Sequence, residues 1–584
     1  MNSRHAAGDD SLRIWRSPYS NFYKDETLHA SDVYTQEHLC ELAGAGFNAV
    51  WIHAYLRDVA PTEVFPELGL NGAAHLRSLR TVIRRGDRAG IRVLLYMQPP
   101  MGMSARAAFW RSHPEARGVT KGRGAKATSA MCTSEPRVRA FLHQAAETLS
   151  RRLPGLGGAI LITASEYLAH CYSHYATNPD FKYFPDQPET LGCPRCEQRH
   201  PKDIVADVVG SIHAGFRAAG NGAEVIAWNW SWSMYEKDPQ TQIVNALPSD
   251  VILMAGFERG GSKLILGRQR IIDEYALSYA GPSERFVGSL KAARRRGMRA
   301  IAKLQIGTTH ELGVAPNLPV IGTLYEKARA MRRLRLTSYM GCWNFGNMLT
   351  ANTAAFTSFL MAKRLAPRPQ ALAGFARAYF PGCDAKEVVA GWELFADAMD
   401  HYPFCIPFLY KAPLTFAVAY PIEPGPLRGG DIGASWHAMK RGDELSGTFG
   451  PYTLGTIIKG LAALTRIWWQ GVKRFENGIA GCEAPAAQEE ANSARMAGHC
   501  FHSGWNVYRA YRLRKRWAPS RLNSLRAIMR DELGHLPDAY RIAERDRRMG
   551  FHSGSGFPSC PQQYLFTADS IRKKIRRLEQ LVRD

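Results

Sequence analysis

Residues 157–166 read Gly-Gly-Ala-Ile-Leu-Ile-Thr-Ala-Ser-Glu, an apolar stretch that ends on a carboxylate at Glu166. From Ala159 to Ile162 every residue is apolar, without the alternation typical of a strand with one face in water. The pattern predicts a strand covered on both sides, as in a parallel sheet flanked by helices. An acidic side chain at the end of such a strand is typical of the catalytic face of a (β/α)₈ barrel.

Seven further apolar segments alternate with amphipathic segments over the first 350 or so residues. The apolar segments are residues 12–15, 47–53, 91–97, 225–230, 251–255, 300–305 and 338–344. The helical patterns between them cover residues 36–45, 73–89, 136–152, 201–219 and 324–334. Strands that alternate with helices indicate βαβ units, and eight such units predict a (β/α)₈ TIM barrel. A doubly wound open sheet is the alternative, but no glycine-rich nucleotide turn follows the first strand.

The chain has 584 residues, which is long for a single core, so a second unit is expected beside the barrel. From about residue 366 the apolar spacing becomes helical throughout, apart from a Pro/Gly-rich bridge at residues 420–426. We therefore predict a barrel over residues 1–365, a helical extension and linker over 366–430, and a C-terminal helical bundle over 431–584. The fold class is α/β with an α-helical C-terminal domain.

The composition and charge of the chain limit where the protein is expected in the cell and what it is expected to bind. No apolar run approaches the 18 or so residues of a membrane span, and the first ten residues have no apolar core of a secretory signal. A cytoplasmic protein is expected, unless a leader was removed. The net charge of +23 is spread widely, with a dense stretch at residues 291–296, and no known nucleic-acid-binding signature accompanies it. Solvated helix faces are favoured over a specific nucleic-acid site, no membrane partner is predicted, and a homo-oligomer is compatible with the sequence.

The cysteines predict a metal site. Eleven cysteines, an odd number in a long chain, argue against a disulfide framework. A tetrahedral structural Zn²⁺ is predicted at Cys171, His174, Cys193 and Cys196, which share one long loop after residue 166. The alternatives are free thiols, or a redox Cys-x-x-Cys pair that lacks its usual strand-to-helix setting.

Aromatic and polar side chains cluster where the predicted strands end. Pyranose rings stack on aromatic faces, and their hydroxyls need planar hydrogen-bonding groups. We therefore predict a sugar-binding set of His53, Tyr55, Trp228, Asn229, Trp230, Trp232, Trp343 and Asn344. The alternative for Trp228 and Trp230 is core filling inside the barrel, and for His53 a hydrogen-bonded residue at the rim.

Cleavage of a glycosidic bond needs one protonated carboxyl and one ionised carboxylate, and no cofactor. Glu166 is predicted to be the acid. Glu311, in the loop after the seventh strand, is the first candidate for the second carboxylate, and Glu258, after the sixth, is the other. The alternatives are a helix cap or an arginine partner for Glu166, a solvated loop position for Glu311, and an ion pair between Glu258 and Arg259.

Four segments together resemble bacterial glycoside-hydrolase-like barrel proteins related to the family 20 β-N-acetylhexosaminidases. They are residues 157–166, the Cys193–Cys196 loop, residues 227–230, and residues 310–313. Family 20 enzymes carry an Asp-Glu pair after strand four, in which the Asp steers the substrate's acetamido group and the Glu is the acid. Glu166 matches the Glu, but Ser165 stands in place of the Asp, and a serine cannot supply that negative charge.

These observations predict a glycoside hydrolase that acts on an oligo- or polysaccharide, with an acidic glycan compatible with the basic chain. Three alternatives stay open. They are a barrel that binds a glycan without cleaving it, a substrate-assisted β-N-acetylhexosaminidase, and a nucleic-acid-associated protein suggested by charge alone.

Overall fold

A computed structural model describes residues 11–20, 25–165, 167–181, 189–308, 310–343, 347–430, 432, 442–552 and 564–583. Eight parallel strands form a closed barrel in chain order, each bonded to its neighbours in sequence, with the last pairing to the first. The barrel strands are β1 (Arg13–Trp15), β2 (Ala49–His53), β3 (Arg92–Met97), β4 (Leu156–Ile162), β5 (Glu224–Trp228), β6 (Ile252–Gly256), β7 (Ala300–Lys303) and β8 (Tyr339–Met340). The predicted TIM barrel is confirmed.

The bulge between β3 and β4 shows why the chain carries two glycines at positions 157 and 158. The register shifts there, because Val93 pairs with Leu156 while Leu94 pairs with Gly158. Gly158 has φ +147°, and a Cβ at this position would lie 2.1 Å from the carbonyl oxygen of Glu224 on β5. Only glycine fits this approach between neighbouring strands.

Nineteen helices are present in the described part of the chain. They are α1 (Glu26–Val33), α2 (Gln36–Gly44), α3 (Leu56–Val59), α4 (Gly72–Ala89), α5 (Phe109–Ser112), α6 (Pro136–Arg152), α7 (Pro194–Glu197), α8 (Pro201–Ala219), α9 (Thr241–Ala246), α10 (Glu284–Arg295), α11 (Ile321–Arg333), α12 (Ala351–Met361), α13 (Arg368–Tyr379), α14 (Ala385–Met399), α15 (Ile406–Lys411), α16 (Leu454–Ile479), α17 (Pro485–Arg514), α18 (Leu522–Arg545) and α19 (Ala568–Arg583). The long helices α4, α6, α8, α10 and α11 connect successive barrel strands, as the alternating pattern predicts.

Two antiparallel sheets interrupt the barrel pattern. Met103–Ser104, Arg117–Lys121 and Thr128–Met131 form a three-stranded sheet between β3 and α6. Gly261–Ile265 and Arg268–Ile272 form a hairpin between β6 and α10. Both are insertions on the connections that leave the C-terminal ends of barrel strands, where such barrels carry their functional loops.

The C-terminal third of the described chain is helical. Helix α14 packs on α16, α16 on α17, α17 on α18, and α18 on α19. This confirms the predicted helical region after the barrel, while the division at residues 365 and 430 stays a prediction. No helix in the described ranges is long and apolar enough to cross a membrane.

Two hydrophobic cores are separated by the barrel wall. The inner core fills the barrel and includes Leu12, Ile14, Leu94, Ile160, Ile226, Met254 and Ile301. The outer core lies between the strands and the helices and continues into the C-terminal helices. Because strand side chains alternate between the two cores, the residues that reach the mouth come from the inner set.

Candidate functional site

Aromatic rings cap the inner core. The ring centroid of Trp343, after β8, lies 4.8 Å from Trp51 of β2, 5.0 Å from Tyr96 of β3 and 5.1 Å from Trp228 of β5. Trp51, Tyr96 and Trp228 are buried, whereas Trp343 is partly exposed. These four rings form the aromatic floor of the barrel mouth.

A second aromatic group forms one wall above this floor. Trp230, which is partly exposed, stacks on Tyr275 with ring centroids 5.1 Å apart. The guanidinium carbon of Arg259 lies 3.9 Å from the Trp230 ring centroid. Arg259 also donates hydrogen bonds to the backbone oxygens of Trp230 and Asp273, at 2.8 and 3.0 Å. The hairpin after β6 is thus tied to the end of β5.

Glu274 lies in this wall, two residues after the hairpin ends. Its Oε2 accepts a hydrogen bond of 2.7 Å from the hydroxyl of Tyr410, and its Oε1 accepts one of 2.9 Å from the backbone N–H of Tyr275. The ring of His310 lies between Tyr275 and Tyr410, at centroid distances of 6.2 and 4.8 Å. Glu274 is therefore a buried carboxylate surrounded by aromatic rings. It was not among the catalytic carboxylates predicted from the sequence.

Burial sets the charge of the two basic groups beside Glu274. It lowers the pKa of His310 to about 4, so the imidazole is neutral near pH 7. It lowers the pKa of Lys303 to about 8, so the ammonium stays largely charged at that pH. The Lys303 Nζ lies 4.2 Å from the Tyr275 ring centroid. One cation and one carboxylate therefore face the same aromatic wall.

The remaining predicted sugar-binding residues divide between the mouth and the outer core. The ring of His53 lies 4.8 Å from Tyr55, which is partly exposed at the rim. Asn229 is buried and donates a 3.4 Å hydrogen bond to Ser289 Oγ. Trp232 belongs to the outer core, where its indole N–H donates to Thr163 Oγ1 at 2.8 Å, so it lies apart from the aromatic floor. Asn344 lies outside the described residues.

Glu258 is fully buried behind the mouth. Its Oε1 accepts hydrogen bonds from Lys327 Nζ at 2.5 Å and from the Gln305 backbone N–H at 2.8 Å. Lys327 comes from α11, on the outside of the barrel, and also donates to the backbone oxygen of Ala276 at 2.8 Å. The expected ion pair with Arg259 is replaced by one with Lys327, because Arg259 points to Trp230.

Glu311 is also fully buried. It accepts a 2.7 Å hydrogen bond from the Leu277 backbone N–H, a 3.2 Å bond from the Ser278 backbone N–H, and a further bond from the Ser278 hydroxyl. Burial raises the pKa of Glu311, while these hydrogen bonds act in the opposite direction. Glu311 therefore holds the backbone of residues 277–278 directly, and Glu258 holds that of Ala276 through Lys327. These residues directly follow Glu274 and Tyr275.

The end of β4 is described up to Ser165, and Glu166 lies outside the described residues. The Ser165 hydroxyl accepts hydrogen bonds from Gln98 Nε2 at 2.9 Å and from the Tyr167 backbone N–H at 3.1 Å. Gln98 follows β3, so this serine ties together the ends of two neighbouring strands.

Four cysteines gather beside the loop that follows β4. The Sγ atoms of Cys132, Cys171, Cys193 and Cys196 all lie within 4.8 Å of one another. His174, a predicted ligand, contributes no atom to this group among the described residues. Cys132 stands in its place, and it lies 39 positions before Cys171, too far along the chain for the local spacing argument to include it.

No protein-family model matches this chain, and no curated protein sequence matches it significantly. Solved structures do match. A GH138 enzyme described as targeting pectin rhamnogalacturonan II has a TM-score of 0.55 at 9% identity, and the match covers 98% of this chain and 67% of that one. What the two share is the fold.

Two other matches are more distant in shape. A chitobiase of family GH20 from Flavobacterium johnsoniae has a TM-score of 0.35 at 11% identity, covering 97% of this chain and 78% of that one. A GH5 cellulase affiliated with Bacteroidetes has a TM-score of 0.36 at 15% identity, covering 61% of this chain and 92% of that one. The solved structures similar to this chain thus include TIM-barrel glycoside hydrolases of several families.

Proposed function

We propose that this protein is a glycoside hydrolase that cleaves O-glycosidic bonds of an oligo- or polysaccharide at the barrel mouth. The observation that carries the proposal is the position of Glu274. It is a carboxylate in a wall formed by Trp230 and Tyr275, above a floor of three buried rings and Trp343. The partly exposed rings of Trp230 and Trp343 can bind the apolar face of a sugar ring, and the carboxylate supplies the chemistry.

The proposed roles follow from sequence position for Glu166 and from hydrogen-bond contacts for the other carboxylates. Glu166, four residues after the end of β4 in the sequence, is the proposed proton donor. Glu274 is the proposed second carboxylate, which attacks the sugar or activates water. Its two hydrogen bonds, to Tyr410 and to its own neighbour's N–H, leave acceptor capacity on a group that has about four lone-pair sites.

Glu258 and Glu311, the two carboxylates chosen from the sequence for this step, have no exposed surface. Glu258 Oε1 accepts from Lys327 and from the Gln305 backbone N–H, while its buried Oε2 has no hydrogen-bond partner among the described residues. Both Glu311 oxygens accept from backbone N–H groups of residues 277–278. We therefore propose that both are positioning residues that fix the segment carrying Glu274. A sugar would have to displace these bonds to contact either one.

The charges at the mouth suggest an anionic substrate. Arg259, which is partly exposed, places a guanidinium against the Trp230 ring, where a sugar carboxylate could pair with it. The fully buried Lys303 adds a positive charge 4.2 Å from the Tyr275 ring. The GH138 enzyme of similar fold is described as targeting pectin rhamnogalacturonan II. Pectin-type acidic polysaccharides are therefore the first substrates to test.

A glycan-binding barrel without turnover is the second candidate, and the enclosure of Glu258 and Glu311 favours it. The substrate-assisted hexosaminidase mechanism has less support, because position 165 offers a hydroxyl already bonded to Gln98 and Tyr167 rather than a carboxylate. The relation to family 20 is thus proposed only at the level of the barrel.

The test is a screen for reducing-sugar release on pectin fragments, neutral oligosaccharides and aryl glycosides, including N-acetylhexosaminides. Wild type is compared with Glu274→Gln and with Glu284→Gln, the same change at an exposed glutamate on α10. We expect activity in wild type and Glu284→Gln, and its loss in Glu274→Gln. Saturable glycan binding by the wild type with no product on any substrate would establish the binding barrel instead.

A further inference from the structure

The four cysteines have the spacing of a metal site. The Sγ of Cys132 lies 3.7 Å from that of Cys193 and 3.6 Å from that of Cys196, and all four sulfurs lie within 4.8 Å of one another. With Zn–S bonds of about 2.3 Å, a regular tetrahedron has sulfur–sulfur edges of about 3.8 Å. A disulfide would place two sulfurs about 2.05 Å apart, and these four thiols are free.

The ligands come from three separate segments. Cys132 directly follows the strand Thr128–Met131, and Cys171 lies in the loop after β4. Cys193 directly precedes α7, and Cys196 lies within it. All four are buried. An ion bound to them would join the three-stranded sheet to both ends of the long loop that leaves β4.

Neighbouring residues leave space for one of the sulfur atoms and hydrogen-bond to another. A Cβ at Gly118, on the neighbouring strand, would lie 2.5 Å from the Cys171 Sγ, so a larger residue there would displace the ligand. Ser134 Oγ lies 3.2 Å from the Cys196 Sγ, a typical outer hydrogen bond to a ligating sulfur. These contacts fix the orientation of two of the four sulfurs.

Arg195 places a cation on the segment between two of the four ligands, with Glu135 Oε2 3.4 Å from its Nη1. Zn²⁺ with four thiolates has a net charge of −2, which nearby positive groups stabilise. Arg195, between Cys193 and Cys196, is held by the backbone oxygens of Glu115 and Arg117 at 2.6 and 2.9 Å. These two anchors hold the guanidinium on the segment next to the sulfurs.

We propose that Cys132, Cys171, Cys193 and Cys196 bind one structural Zn²⁺ as a tetrahedral tetrathiolate that clamps the loop after β4 to the three-stranded sheet. Binding releases the thiol protons, up to four per zinc, and involves no change of oxidation state. The ion has no open coordination position, so its role is to order this loop rather than to react.

The experiment measures zinc and iron in the full-length protein purified without chelators, by elemental analysis per chain. We expect one zinc per chain in wild type and its loss in Cys132→Ser. Two matched controls, His174→Ala and Cys405→Ser, are expected to keep one zinc, because neither residue belongs to the four-sulfur group. Loss of zinc in His174→Ala with retention in Cys132→Ser would overturn the proposed ligand set.

A second measurement keeps the proposal testable if Cys132→Ser does not fold. Wild-type protein is exchanged with Co²⁺, whose thiolate charge-transfer and tetrahedral d–d absorption report sulfur ligands directly. Titration with a mercurial reagent should first consume accessible thiols such as Cys40 and then release one metal ion as the four buried cysteines react, with a fall in melting temperature. Iron in place of zinc, a metal-free protein with four free thiols, or a mass showing disulfides among these cysteines would each contradict the proposal. None of these readouts depends on glycosidase activity.

Discussion

Two buried carboxylates, Glu532 in the C-terminal helices and Glu274 at the barrel mouth, differ in how fully they are hydrogen-bonded. Glu532 accepts from Ser503 Oγ, Asn506 Nδ2, His535 Nε2 and Lys574 Nζ. Glu274 accepts two hydrogen bonds among the described residues, and its neighbours are aromatic rings. We propose that Glu532, with four hydrogen bonds, stabilises the fold, whereas Glu274, with acceptor capacity left among aromatic rings, takes part in the reaction.

The pKa of Glu532 agrees with a carboxylate whose charge is compensated by its neighbours. Burial alone would raise its pKa, but the charge of Lys574 and the charge and hydrogen bond of His535 together hold the pKa well below its usual range. Glu532 is therefore ionised throughout the working pH range, and its charge is compensated inside the helices. Loss of the partner of Glu532 should therefore lower the stability of the fold, whereas loss of a reacting carboxylate at the mouth should lower kcat.

The largest effect is expected at the mouth, from loss of the proposed proton donor. Glu166→Gln should lower kcat by about 10²- to 10⁴-fold on substrates with poor leaving groups, because general-acid catalysis contributes about that much. Aryl glycosides with very acidic phenols need little protonation and should be much less affected. Initial rates on a leaving-group series measure the difference, and an equal loss across the series would exclude Glu166 as the acid.

In the C-terminal helices, removing the partner of Glu532 is expected to lower the stability of the protein and not its catalytic rate. Lys574→Met leaves Glu532 charged, buried and without its cation, which should cost about 3–5 kcal/mol of unfolding free energy. Urea unfolding at neutral pH measures it. Lys573→Met, at an exposed neighbour, is the control and should change stability by about 0.5 kcal/mol or less.

The double variant Glu532→Leu/Lys574→Met should recover most of that loss, because both charges are removed together. If Lys574→Met were as stable as wild type, Glu532 would not depend on its cation. The contrast with Glu274 would then have no energetic basis.

A smaller effect is expected from the aromatic wall. Trp230→Ala should raise KM by roughly 2- to 12-fold with little change in kcat, since a ring contact contributes about 0.5–1.5 kcal/mol. Steady-state kinetics on the best substrate measure it. Trp517→Ala, at a partly exposed tryptophan between α17 and α18, should leave KM unchanged. A change in kcat alone would place Trp230 outside the binding surface.

An effect on stability that depends on pH is expected at Asp273, beside Glu274. Burial, helped by the charge of Glu274, raises the pKa of Asp273 to about 6 from an ordinary value of 3.8. The folded protein thus keeps this proton to a higher pH than the unfolded chain does. Ionisation therefore destabilises the fold above about pH 6, and the penalty disappears below about pH 4.

Asp273→Asn should accordingly stabilise the protein by about 1–2 kcal/mol near pH 8, a value reduced for partial exposure, and by almost nothing near pH 3.5. Urea unfolding at the two pH values measures the difference. A stabilisation of equal size at both would show that burial of the charge is not its cause.

Most of the fold could be predicted from local patterns. The bounds of α6 and α8 equal the predicted 136–152 and 201–219, because each has an amphipathic period and begins on a proline at the first helical turn. The barrel strands were predictable because strands buried on both faces are almost wholly apolar. The hairpin at residues 261–272 was missed, since its sequence is largely polar and exposed on one side.

The site was less predictable because its contacts span long distances in sequence. Glu258 pairs with Lys327, 69 residues later, and Glu274 with Tyr410, 136 residues later. Nothing in the local sequence distinguishes the glutamates that hold the backbone of residues 276–278 from Glu274, the proposed catalytic carboxylate. Glu274 also follows the hairpin rather than a barrel strand, so the search for acids at strand ends passed over it. Cys132 was missed because it, too, lies far in the sequence from its partners, the other three cysteines.

The most direct test compares kcat and urea stability of Glu274→Gln and Glu311→Gln on the same substrate. We expect Glu274→Gln to fold normally and to lose about 10²- to 10⁴-fold in kcat. Glu311→Gln should be less stable but retain most of the wild-type kcat in its folded fraction. Near-normal turnover by Glu274→Gln, with kcat abolished in a fully folded Glu311→Gln, would contradict this expectation.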